Sequence, residues 1–103
     1  MNLLKYLIEY IGTFIFLSVI LISGHAIPIG LALMVAIYWG GKVSGGNFNP
    51  AVSLMMYINK KLSLNDLIIY IIVQLLGGIT ALIFYKETNK LTNNNIHYHK
   101  KLS

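Results

Sequence analysis

At 103 residues, 56% hydrophobic and 11% charged, the chain is far more apolar than an average soluble domain and reads as a membrane protein. It contains no cysteine, which excludes a disulfide frame and a thiolate metal site and leaves the redox compartment unreadable. The net charge of +5 comes from eight lysines and no arginine; set beside apolar stretches and without a basic-aromatic motif, they fit lipid headgroups rather than nucleic acid.

The first predicted span runs from about Leu3 to Ile22, interrupted by Lys5 near its start and Glu9 one turn later. It is too long for a cleaved signal peptide and lacks a small-residue exit site, so it is expected to stay as a span. Lys5 can snorkel to the interface. Glu9 lies deeper, where an ionisable side chain is expected to face the bundle interior; an i,i+4 pair with Lys5 is the alternative. Ser23-Gly24-His25-Ala26 makes a tight connection with His25 as an exposed turn residue, and Pro28 fits the first turn of the next helix. The second span covers residues 27–41 and closes on Tyr38 and Trp39, an aromatic pair suited to the interface or to lining the loop that follows.

Ser44-Gly45-Gly46-Asn47-Phe48-Asn49-Pro50-Ala51-Val52-Ser53 is a polar, glycine-rich interruption between long apolar stretches. Asn is among the best N-cap residues and Pro is favoured at the first helical position, so Asn49-Pro50 predicts a helix starting at Pro50. Apolar helix formers carry it to Ile58, and Asn59-Lys60-Lys61 ends it. A bilayer crossing needs about 20 apolar residues, so residues 44–59 are expected to form a re-entrant loop and half-helix, with the loop lining a cavity. Unpaired N–H groups and the positive end of the helix dipole, joined by the Asn49 carboxamide, would bind the oxygen of water or a hydroxyl and repel protons and cations.

Ser63-Leu64-Asn65-Asp66 is a capping-box variant that opens a third span over residues 64–85. Residues 86–103 lack apolar periodicity and read as a polar, disordered tail; His97 and His99 there have no further ligand, so no metal site is expected. Residues 1–85 then form the membrane domain. Glu9, Asp66 and Glu87 are the only carboxylates, and no nucleophile-base set can be assembled around them, so no enzyme and no cofactor is expected.

Three stretches together resemble the major intrinsic proteins, the aquaporins and glycerol facilitators. Glu9-Tyr10-Ile11-Gly12-Thr13-Phe14 is similar to that family's first-helix signature. The stretch from Ser44 to Ser53 resembles the first of its two Asn-Pro-Ala loops, and Tyr70 to Gly78 its third helix. The resemblance implies that Glu9 accepts hydrogen bonds from the loop, that Gln74 is a second prop, and that Gly45 and Gly46 shape the loop. For Gln74, an interhelical hydrogen bond unrelated to a pore is the alternative. The resemblance further implies that Asn49, Pro50 and Ala51 form a selectivity element, that Asn47 stands where the family often has His, and that Ile29 takes the aromatic position of the outer filter. A lipid- or core-facing role remains open for Ile29. The connection between the first two spans is shorter than is usual in the family.

The implied fold is all-α: three transmembrane helices plus one re-entrant half-helix, half of the aquaporin-like inverted repeat, in which a pore needs two half-helices meeting at the midplane. The family's filter arginine, which follows its second Asn-Pro-Ala, has no counterpart in this sequence. The expected function is a passive channel for water or small neutral solutes such as glycerol, formed by a dimer or higher assembly of half-repeats in a lipid bilayer. Lys5, Lys42, Lys60 and Lys61 on one side balance Lys86, Lys90, Lys100 and Lys101 on the other, as insertion in both orientations would need. The alternative is a non-conducting membrane adaptor or remnant that associates with a full-length channel.

Overall fold

The computed structural model describes residues 2–102; Met1 and Ser103, which close the two expected segments, lie outside the described residues. The described residues form four helices in the order α1 (Leu3–Ser23), α2 (Ala26–Ser44), α3 (Pro50–Ile58) and α4 (Leu64–Leu102). Each boundary has a local cause. The side chain of Asn2 accepts the Leu4 N–H at 3.1 Å to start α1, and Gly24, at φ 66°, ends it by donating its N–H to Ile20 O. Gly45, at φ 93°, ends α2 in the same way on Gly41 O at 2.8 Å. Ser63 Oγ accepts the Asp66 N–H at 3.1 Å at the entry to α4.

α1, α2 and α4 are each long and apolar enough to cross a membrane. α1 lies between the other two, and α3 packs on α4. Close approach is set by glycine. A Cβ on Gly77 would stand 2.8 Å from the Tyr10 carbonyl oxygen and 3.2 Å from Phe14 N, so α4 crosses the backbone of α1 at a point where a side chain has no room. Gly77→Ala is therefore expected to destabilise the bundle by about 1–3 kcal/mol, seen as a lower melting temperature in detergent with the helix content of the cold protein unchanged. Gly12 similarly receives the Phe48 ring, and Gly40 receives Ile8. Outward from these contacts the helices present apolar side chains such as Leu7, Val35, Ile72 and Ile83.

The amino ends of α1 and α4 are tied together, with Lys5 Nζ 2.7 Å and Tyr6 OH 2.6 Å from the two oxygens of Asp66. Lys5 thus pairs across the bundle, and the i,i+4 alternative with Glu9 is not adopted. The structure differs from the sequence reading beyond Tyr85, where α4 continues to Leu102 as an exposed helix. Helix propagation from a formed segment is far cheaper than nucleation, and the Glu87–Lys90 i,i+3 pair and the Thr92 hydroxyl donating to Thr88 O support it locally. At about 1.5 Å per residue the 39 residues of α4 reach roughly twice the thickness of a hydrocarbon core.

Candidate functional site

The five residues from Gly45 to Asn49 bring the chain back into the bundle, and their backbone could not hold its shape without side-chain partners. Gly45 and Gly46 take positive φ, as does Phe48 at 54°, a conformation that costs a non-glycine residue energy. What offsets that cost is burial: Phe48 is only 1% exposed and forms a core with Ile8 and Ala36, its ring on Gly12. Beneath the loop lies Glu9, 0% exposed. One of its oxygens accepts Phe48 N–H at 2.8 Å and Gln74 Nε2 at 2.9 Å; the other accepts Ser44 Oγ at 2.7 Å and Asn47 N–H at 3.1 Å. A buried carboxylate with four donors is well compensated for leaving water.

Gln74 Nε2 also donates to Ser53 Oγ at 2.8 Å, and Asn47 Nδ2 donates to the same oxygen at 3.0 Å. Ser53 thereby links the loop, α3 and α4. Tyr70 OH donates to the Ser44 carbonyl at 2.6 Å, satisfying an acceptor at the end of α2. Tyr70→Phe is expected to cost about 1–2 kcal/mol, measurable by denaturant titration in micelles, because it leaves a buried carbonyl without its partner.

At the tip, Asn49 is the N-cap of α3, with Oδ1 accepting Ala51 N–H at 2.9 Å. That bond fixes the carboxamide, leaving Nδ2 with no acceptor among the described residues. Asn49 and Ala51 are exposed and Pro50 half-buried. A recess of about 400 Å³ opens beside the tip, lined among others by Thr13, Leu17, Gln74, Gly78 and Ile79.

The structure therefore brings Glu9, Gln74, Gly45, Gly46, Asn47, Asn49, Pro50 and Ala51 into one region. Asn47 points inward, its amide spent on Ser53. Ile29 stands apart, half-buried in the first turn of α2 and not among the residues lining the recess. Sequence reasoning gave no roles to Ser53 and Tyr70. Small hydroxyls and a lone phenol inside apolar helices were the available signals, since buried polar atoms need partners.

Three apolar helices and a short helix that stops among them, hung from one buried carboxylate, define an integral multi-pass membrane protein with a re-entrant half-helix. A family model described as Major intrinsic protein matches residues 7–102, and the chain belongs to that family. It is 45% identical over 86 residues to the glycerol uptake facilitator protein-like 6 of Lactiplantibacillus plantarum, covering 75% of this chain and 40% of that protein. It is 45% identical over 58 residues to aquaporin Z of Brucella melitensis, covering 56% of this chain and 25% of that protein. With human aquaporin-10 it shares 42% identity over 71 residues, or 64% of this chain and 24% of the other. The chain thus spans well under half the length of these relatives. No solved structure matches it.

Proposed function

We propose that residues 1–103 act as one half of a passive channel for water or small neutral solutes such as glycerol, completed by a second half-repeat from another copy or another half-channel. The observation that carries this reading is the Asn49 carboxamide, held by its own cap bond so that its NH2 is unspent at the positive end of α3. Donors placed there suit an oxygen that arrives without charge, and the helix end disfavours cations. Asn49, Pro50 and Ala51 form the selectivity element; Glu9, Gln74, Gly45 and Gly46 hold it in place. Asn47 supports it from within, and Ile29 belongs to the pore mouth. Relatives named for glycerol uptake and as aquaporins support the solute class.

Osmotic shrinkage of vesicles containing only the purified chain tests this, under a water-impermeant osmolyte and under glycerol. Shrinkage well above that of empty vesicles is expected. Shrinkage equal to empty vesicles, from protein shown to be folded and inserted, would favour the adaptor reading, above all if the chain co-purifies with a complete channel.

A further inference from the structure

Tyr6 of α1 is gripped at two points by α4. Its hydroxyl donates to Asp66 Oδ1 at 2.6 Å, and its ring meets the Tyr70 ring edge-to-face, with centroids 6.0 Å apart and planes at 86°. Asp66 and Tyr70 stand one turn apart on α4, so they offer α1 an acceptor and an aromatic wall on a single face. Lys5 Nζ takes the other carboxylate oxygen at 2.7 Å, which leaves Asp66 Oδ1 to Tyr6. Aliphatic side chains would serve an apolar contact between two helices equally well. Two phenols stand here instead, and each spends its hydroxyl on a different element.

The second hydroxyl gives the reason. Tyr70 OH donates to the Ser44 carbonyl at 2.6 Å, and Ser44 is the residue at which α2 gives way to the loop. Ser44 Oγ donates to Glu9 at 2.7 Å and accepts Gly46 N–H at 3.1 Å. The main chain is therefore held at two atoms of Ser44, its carbonyl and its hydroxyl, just before the two glycines turn it into the bundle. A tyrosine ring pivots on two rotatable bonds, so the place of its hydroxyl is fixed only when the ring is fixed. The Tyr6 ring supplies that restraint to Tyr70.

We infer that Asp66 is a positioning residue for the loop: it fixes Tyr6, Tyr6 fixes the Tyr70 ring, and Tyr70 sets where Ser44 releases the chain toward the Asn49 tip. The Lys5–Asp66 pair at the edge of the bundle thus reaches the loop through two aromatic rings. Its bearing on solute passage rests on the half-channel reading; its bearing on the loop does not.

Amide hydrogen exchange, followed residue by residue by NMR on the full chain in micelles, tests the coupling directly. The Asn47 and Phe48 N–H groups are bonded to Glu9 and exchange only when the loop opens. Asp66→Ala and Tyr6→Phe are expected to speed exchange at these two amides roughly tenfold, while amides in the middle of α1 and α4 keep their wild-type rates. Asp66→Asn, which can still bond the Tyr6 hydroxyl, is expected to stay near wild type. In a Tyr70→Phe background, Tyr6→Phe is expected to add nothing, because the route to Ser44 is already cut. Wild-type loop exchange in both Asp66→Ala and Tyr6→Phe would overturn the inference. So would Asp66→Asn as fast as Asp66→Ala, full additivity in the double variant, or acceleration spread evenly over the helices, which would make the clamp a general brace. Vesicle shrinkage separates this from the half-channel reading: a loop that loosens in Asp66→Ala, in a chain that passes no solute, keeps the coupling and removes the channel. Flux with loop exchange unchanged does the reverse.

Discussion

Glu9→Gln is expected to lower stability by about 3–5 kcal/mol and to abolish any flux, the largest effect of a single-atom change in this chain. The wild-type carboxylate receives two donors on each oxygen. A carboxamide can present only one oxygen, and its NH2 must confront a donor pair. The less damaging choice turns the NH2 toward Ser44 and Asn47, because the Ser44 hydroxyl can rotate to rely on Gly40 O, which it already approaches at 3.3 Å. The Asn47 N–H has no such escape and is left buried and unpaired. Glu9→Ala should be worse, since all four donors lose their acceptor. Equilibrium unfolding in mixed micelles measures the stability change; a variant as stable as the wild type would show that the loop is held by something other than this carboxylate.

Asn49→Asp is expected to leave the fold intact while cutting water or solute flux roughly tenfold or more and admitting some cations. Asp caps a helix as well as Asn does, so Ala51 N–H keeps its acceptor and α3 its start. What changes is the other atom of the group. A donor at the tip becomes a charged acceptor, which no longer offers the hydrogen bond proposed for an incoming oxygen and neutralises the positive end of α3. Asn49→Ala separates the two roles, losing both the cap, at about 1 kcal/mol, and the donor. Vesicle shrinkage beside a cation-sensitive dye distinguishes these outcomes. Flux unchanged in Asn49→Asp would place the conducting path elsewhere.

Much of this architecture was legible before any coordinates because membrane sequences write it in one dimension. Apolar runs fix the spans, and Asn49-Pro50 marks a helix start from cap chemistry alone. The three-dimensional parts were less accessible. The pairing of Lys5 with Asp66 joins residues 61 apart, and no spacing rule selects it over the nearer Glu9. The positive φ of Phe48 follows from a hole that exists only once Gly12 and Gly40 face each other. The course of α4 after Tyr85 was missed because polar composition argues against a packed core and says little about whether an existing helix will go on.

The dispersal of Glu9's partners along the chain has a consequence for biogenesis. Its donors lie 35, 38, 39 and 65 residues downstream, the last of them Gln74. At a synthesis rate of about 5–20 residues per second, roughly 3–13 s separate the appearance of the carboxylate from that of the Gln74 amide. Throughout that interval a nascent α1 carries an acid with an incomplete set of donors, and the loop that would supply most of them has no Gln74 to anchor its Ser53. The loop cannot therefore reach its fully bonded place in the bundle until α4 has been made.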